Sequence, residues 1–270
     1  MKILYACESG SRAWGFESAD SDYDVRFIYV HNRDWYLQID AERQRDVIEL
    51  PIDNLLDING WDLKKALNLF AKSNPVLLEW LNSPIVYQQN DTFIHEMREL
   101  IPIYFSPQKT FYHYLHMAKG NYREYLTGEK VRWKKYLYVL RPLLAIKWIL
   151  KFKTPIPMQF SDLVNSCLQE KNVREAVEHL LFLKQSSSEG THGKPIPILN
   201  QWIEQTLMEC ESIQPEKPIP NDLAPLNALM IKVLQTNLDA CQWITNRFST
   251  GRLKTIDPND KYQVHLPADL

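Results

Sequence analysis

The sequence predicts an α+β protein, a small mixed α/β module over residues 1–90 followed by a helical domain over residues 91–270. Three observations carry that prediction. Short runs rich in Val, Ile and aromatic residues, broken by Gly, Asn, Asp and Pro, fill the first part of the chain. In one of them, Val25, Phe27 and Tyr29 alternate with Arg26, Ile28 and Val30, so that apolar residues fall on both faces, the pattern of a strand central in a sheet. Beyond Pro84, long stretches carry apolar residues at helical spacing.

Taken in order, Ile3 to Cys7 is an apolar run that pattern alone leaves open between a strand and a helix end. Gly10-Ser11 marks a turn, Arg12 to Phe16 fits a helical turn, and Ser18 to Ser21 is a loop. The strand from Asp22 to Tyr29 stops at His31-Asn32-Arg33-Asp34. Asp46 to Pro51 and the shorter Leu55 to Asn59 are two further strand candidates. Leu63, Ala66, Leu67 and Phe70 lie on one helical face, and Pro75 starts another helix with Val76, Leu77, Trp80 and Leu81 on its apolar side. Asn74, just before that proline, fits an N-cap. Helices follow over Thr92–Ile101, Gln108–Leu126, Trp133–Lys151, Met158–Cys167, Asn172–Gln185, Ile198–Cys210 and Leu226–Phe248. Ser186 to Gly193 reads as a polar loop, Glu211 to Pro220 as a linker, and the tail after Ser249 as irregular surface.

Composition sets outer bounds. A net charge of -2 over 270 residues, with 45% hydrophobic and 24% charged residues, is that of an ordinary globular protein. The four cysteines have neither metal-ligand spacing nor the density of a disulfide framework. The apolar start is too short for a signal peptide, and no stretch approaches the ~20 apolar residues of a membrane span. A cytoplasmic protein with no membrane partner is expected. No Gly-x-x-x-x-Gly-Lys-Ser/Thr loop is present, which argues against an ordinary P-loop ATPase. The seven histidines include no H-x-x-x-H pair.

The residues that carry chemistry are Gly10-Ser11 and, shortly after, Asp22-Tyr23-Asp24. On a strand, residues two apart share a face, so both carboxylates point the same way. Paired carboxylates suit Mg²⁺ held beside a nucleoside triphosphate, and the turn offers backbone N–H groups and a hydroxyl to phosphates. Such a site wants a third acid on a neighbouring strand, for which Glu49, Asp53 and Asp57 are candidates. Asp57 is favoured because Leu56 and Ile58 flank it, a setting in which plain solvent exposure is harder to explain.

The string from Gly10 to Arg26, GSRAWGFESADSDYDVR, resembles the polymerase-beta-like nucleotidyltransferases, and within them a branch found in association with RNA ligases. Lys72-Ser73-Asn74-Pro75, continuing to Glu79-Trp80-Leu81, and the helix ending at Tyr138-Val139-Leu140-Arg141 are similar to further stretches of that branch. The resemblance covers residues 8 to about 153 well and the remainder loosely. It implies a mixed-sheet nucleotidyltransferase fold followed by a helical domain, with a triphosphate in the cleft between them. It also implies roles. Gly10 and Ser11 contact the β- and γ-phosphates, Asp22 and Asp24 bind two Mg²⁺ ions, and Asp57 completes the acids and helps deprotonate the acceptor. A nucleoside monophosphate is then transferred with loss of pyrophosphate.

From Ser106 to Lys153, eleven basic residues face two acids, with Tyr112, Tyr114, Tyr122, Tyr125, Trp133, Tyr136 and Tyr138 interleaved. Such mixing suits either RNA or a bound triphosphate. Related folds supply Lys or Arg from the helical domain, which points to Lys119, Lys135 and Arg141 as nucleotide-binding residues, with Arg12 beside the turn. Arg26 shares the strand face of Asp24 and favours its ionised form. RNA is the favoured acceptor. Transfer to a protein or small-molecule hydroxyl, and an inactive nucleotide- or RNA-binding module, are the alternatives.

Overall fold

A computed structural model describes residues 1–53, 55–186, 192–216 and 222–248. Five strands form one mixed sheet: β1 (Lys2–Ser9), β2 (Tyr23–Val30), β3 (Val47–Glu49), β4 (Leu56–Asp62) and β5 (Val86–Gln89), in the order β3-β4-β2-β1-β5. The first run is therefore a strand. β2 is central, as its two apolar faces require. It runs antiparallel to β1 and parallel to β4, with β3 antiparallel on the outside of β4 and β5 antiparallel on the outside of β1.

Alternation along β2 sorts its two faces. One helical turn, α2 (Arg33–Tyr36), follows β2, and Ile28 and Val30 join Leu4, Tyr5 and Cys7 in a core roofed by α3 (Leu63–Ala71) and α4 (Pro75–Leu81). Phe27 and Tyr29 turn to the other side, where Ala6, Ile48 and Ile58 meet them. Asp62 caps α3 by accepting from the Lys64 N–H, and Asn74 caps α4 by accepting from the Leu77 N–H, ahead of a proline at the first helical position. α5 (Asp91–Tyr104), through Phe93, Ile94 and Met97, packs into the sheet-side core. So does the first part of α11 (Ala224–Phe248), through Leu226, Leu229 and Val233.

The second core is helical. It gathers α6 (Pro107–Tyr125), α7 (Lys134–Phe152), α8 (Phe160–Cys167), α9 (Lys171–Ser186) and α10 (Pro197–Glu211). α7 is buried nearly all round, from Tyr136 and Leu137 through Val139 to Ile146, which makes it the axis of this half. A short pair, β6 (Val131–Arg132) with β7 (His192–Gly193), closes its edge. Residues 187–191 of the expected polar loop, 217–220 of the linker and the tail after Ser249 lie outside the described residues. Among the described residues no helix is long and apolar enough to cross a membrane.

One segment joins the halves. α1 (Gly10–Ala13) is a single helical turn after β1, and Trp14, Gly15 and Phe16 leave it into the helical core. The Phe160 N–H donates to the Trp14 carbonyl at 2.9 Å, and Gln159 Nε2 donates to the Ala13 carbonyl at 3.0 Å. Buried Lys184 Nζ donates to the Phe16 carbonyl. Gly15 has φ +77°, and a Cβ there would stand 2.2 Å from Gln159 Oε1, so the strap requires glycine at this bend.

Candidate active site

Asp24 and Asp57 are register partners on the adjacent parallel strands β2 and β4, each the second residue of its strand. Partners in register share a face, so two acids some thirty residues apart stand side by side at one end of the sheet. Arg26, two residues along the same face, reaches back between them. Its Nη2 lies 2.7 Å from Asp24 Oδ1 and 2.7 Å from Asp57 Oδ2. Its Nη1 donates to the Asp57 carbonyl at 2.9 Å and to the Val25 carbonyl at 3.2 Å.

The Gly-Ser turn abuts this pair. Gly10 has φ +59°, the left-handed region that glycine adopts without strain, and a Cβ there would sit 1.9 Å from Asp24 Oδ2. Only a bare backbone lets the turn approach the carboxylate so closely. Ser11 follows, 5% exposed, in α1. Arg12 spans the loop ahead of β2, with Nε donating to the Asp22 carbonyl at 3.0 Å and Nη2 to the Ser21 carbonyl at 2.7 Å. Its guanidinium stacks 3.8 Å from the centroid of the exposed Tyr23 ring. Beneath, the Ser21 hydroxyl accepts from the Ser18 N–H, which pins the loop.

A fourth acid was not anticipated. Glu8, wholly buried near the end of β1, accepts the Asp24 N–H through Oε1 at 2.7 Å and the Tyr87 hydroxyl through Oε2. It fixes the backbone that carries Asp24. Burial is the main influence on the Asp24 carboxyl and pushes its pKa up to about 6. Arg26 pulls the other way, while Asp22, Asp57 and Glu8 add like charge.

The other expected residues fall elsewhere. Asp22 is exposed and sits one residue before β2, within electrostatic reach of Asp24 but with Arg26 turned to the other two acids. Asp53 closes the tight turn into β4 by a backbone bridge to Leu56, and Glu49 on β3 pairs with Arg45 at 2.7 Å. Lys119 on α6 pairs with Glu211 at 2.6 Å. Lys135 Nζ lies 4.0 Å from the Tyr125 ring centroid and 5.0 Å from that of Tyr138, whose ring stands at 79° to Trp14, the residue that ends α1. Arg141 is 2% exposed and enclosed between α7 and α4, its Nη1 2.8 Å from Glu79 Oε1.

Among the described residues no group of three or more His, Cys, Asp and Glu side chains is assembled to hold a metal ion. Two acids are nonetheless joined through a positive centre. Asp24 and Asp57 each give an oxygen to one guanidinium nitrogen, a hard oxygen donor set of the kind that also suits a divalent cation.

A mixed sheet with paired acids on adjacent strands, a glycine turn against one of them and a helical region beyond places the protein in the polymerase-beta-like nucleotidyltransferase superfamily. Within that class, the chain belongs to the family described as RlaP, RNA repair pathway DNA polymerase beta family, whose match spans residues 1–232. It is 46% identical over 237 residues to the uncharacterized protein YcgL of Bacillus subtilis strain 168, covering 87% of this chain and 90% of that one. A solved nucleotidyltransferase-like protein from Exiguobacterium sibiricum 255-15 is similar at 13% identity and a TM-score of 0.30, over 78% of this chain and 67% of that one.

Proposed function

We propose that the protein is a Mg²⁺-dependent nucleotidyltransferase that moves a nucleoside monophosphate from a nucleoside triphosphate to an acceptor hydroxyl, with RNA the favoured acceptor. The observation that carries this reading is the meeting of Gly10 with Asp24, and of Asp24 with Asp57, at one end of the sheet. Family membership supports the chemistry, and the family's RNA-repair description supports the choice of acceptor.

In this reading the acceptor oxygen bonds to the α-phosphorus, the bond from that phosphorus to the pyrophosphate oxygen breaks, and the hydroxyl proton passes to Asp57. Gly10 and Ser11 receive the β- and γ-phosphates, the first by letting backbone approach and the second by its hydroxyl. Arg12 holds the loop that carries Asp22 and is the nearest guanidinium to that turn in sequence. Asp24, Asp57 and Asp22 are the residues to hold Mg²⁺, which when bound neutralises charge on the phosphates and the leaving pyrophosphate. Of the basic residues on the helices, Lys135 stands best for the triphosphate, because Tyr138 ties it to the back of α1.

A second reading, nucleotide binding without turnover, has one observation in its favour. Arg26 already offsets part of the charge of Asp24 and Asp57 and occupies the space between them. Transfer of label from each α-³²P nucleoside triphosphate into the RNA, protein and small-molecule fractions of a cell extract separates the two. Label in the RNA fraction, lost with Asp24→Asn, is the expected result. Label confined to protein moves the acceptor, and no Asp24-dependent label from a folded protein overturns the transferase.

A further inference from the structure

We infer that Arg26 is the resident counter-cation of the acid pair and must leave it for a divalent ion to bind, so that the site carries a built-in cation exchange. The inference rests on the nucleotidyltransferase reading and adds a step to it. Its basis is a coincidence of position. One nitrogen, Arg26 Nη2, is 2.7 Å from an oxygen of each acid, so the two oxygens are no farther apart than twice that distance. A Mg²⁺ ion sharing the same two oxygens sits roughly 2.0–2.1 Å from each. Nitrogen and metal therefore compete for one place.

Of the three side chains, the arginine has the longest flexible stem, and its departure also releases the Nη1 bonds to the Asp57 and Val25 carbonyls. The acid pair is held from below. The amide of Asp24 is fixed by fully buried Glu8, its Oδ2 is walled by the Gly10 backbone, and Asp57 is locked in register by the parallel ladder. Arg26 has a long flexible stem, its side chain is 17% exposed, and the acids beside it are 19% and 29% exposed. Solvent lies within reach of the guanidinium head. Charge favours the exchange. One guanidinium leaves two facing carboxylates with a net negative charge, a divalent cation neutralises them, and both cations together would crowd one position. Without either, two like charges would face each other on neighbouring strands, which is destabilising. The arginine thus keeps the acids paired while the site is idle.

The test is binding of Mn²⁺, followed by the paramagnetic signal of the free ion, to the full-length protein without nucleotide. Arg26→Gln is expected to bind Mn²⁺ about tenfold or more tightly than the unaltered protein, a difference of about 1.4 kcal/mol. Arg26→Lys should fall between them, and Asp24→Asn in the Gln background should abolish the gain. In the unaltered protein, the Arg26 side-chain Nε–H resonance should shift as diamagnetic Mg²⁺ saturates the site. Equal Asp24-dependent affinity with and without the arginine overturns the exchange and leaves the transferase reading standing. No Asp24-dependent binding in any variant overturns both. If the Gln variant does not fold, an Arg26 resonance unmoved at saturating Mg²⁺ overturns the exchange by itself.

Discussion

Glu79 and Arg141 offer the sharpest test of how the two halves of this protein are held together. Arg141 is 2% and Glu79 7% exposed, and they meet at 2.8 Å between α7 and α4. The carboxylate also accepts from the Tyr114 hydroxyl and, at 3.3 Å, from Trp14 Nε1. The guanidinium lies 4.4 Å from the Trp14 ring centroid, and its Nε and Nη2 have no partner. Glu79→Gln would leave a full positive charge buried with no counter-charge. Breaking a buried pair from one side costs about 3–5 kcal/mol, a large part of the 5–15 kcal/mol typical of a native protein. Arg141→Met leaves a carboxylate that keeps two neutral donors, so its cost should lie at the lower end of that range. Removing both charges, in Glu79→Gln with Arg141→Met, should cost less than the two single losses added together, with a coupling of about 2 kcal/mol or more. Urea unfolding of the four proteins at neutral pH gives the cycle directly. Additive losses, or a Glu79→Gln cost under about 1 kcal/mol, would refute the reasoning. Nucleotide affinity of folded Arg141→Met is the second readout. We expect it to be preserved, because the arginine faces Glu79 and Trp14; a tenfold loss with stability intact would return Arg141 to the phosphate-binding set.

Gly10→Ala should lower label transfer by roughly a hundredfold, since displacing a reacting group by about 1 Å is enough for that. Its Cβ would fall 1.9 Å from Asp24 Oδ2 in a left-handed conformation; transfer kept within threefold would show that the turn does not touch the chemistry. The Asp24 carboxyl, with its pKa pushed up to about 6 by burial against the pull of Arg26, and with Asp22, Asp57 and Glu8 facing it, predicts a pH dependence. Its folded value lies above the unfolded one near 4, so its stability contribution is complete below about pH 4 and is lost as pH rises through 6. In metal-free buffer that loss is about 2–3 kcal/mol, and the difference in unfolding free energy between the unaltered protein and Asp24→Asn should fall by this amount between pH 4 and 7; a flat difference refutes it. Tyr87→Phe should cost about 1–3 kcal/mol in urea because it strips a donor from a wholly buried carboxylate, Glu8. An unchanged midpoint would mean that Glu8 is satisfied without Tyr87.

The parts legible in the sequence are those where local pattern and tertiary position coincide. Strand β2 announces its central place because both faces must be apolar to be buried. Asp57 stands out because its neighbours Leu56 and Ile58 declare a strand, and β4 then pairs with β2. Glu8 is not legible because its hydroxyl partner, Tyr87, lies seventy-nine residues away on β5. That strand, Val-Tyr-Gln-Gln, is exposed along its length and has no apolar alternation to mark it. A usable signal was an acid ending an apolar run two residues before the glycine turn. Arg141 carried a comparable sign, a single charge inside the apolar stretch Leu137–Ile146, which speaks of a buried partner without naming Glu79. Helices α5 and α11 are amphipathic enough to be recognised, yet their shared packing on the sheet-side core depends on surfaces more than a hundred residues apart.

The strap from Gly10 to Phe16 explains why the Gly-Ser turn has so much helix behind it. A four-residue helical turn has almost no stability of its own, since nucleation costs more than one turn recovers. Here the end of that turn is held from the helical core. Trp14 gives its indole N–H to Glu79 and its face to Arg141 and packs nearly at right angles to Tyr138, while Gln159, Phe160 and Lys184 take the carbonyls of Ala13, Trp14 and Phe16. Four helices, α4, α7, α8 and α9, and one cap residue thus grip a segment whose other end, Gly10, lies against Asp24. The position of the turn relative to the acids is set by the helical core as much as by the sheet. Loosening Trp14, by Trp14→Ala, should therefore weaken transfer more than it weakens Mn²⁺ binding, because the acids Asp24 and Asp57 remain fixed in the ladder when the turn is released. Equal losses of both would mean that the helices act on the sheet itself.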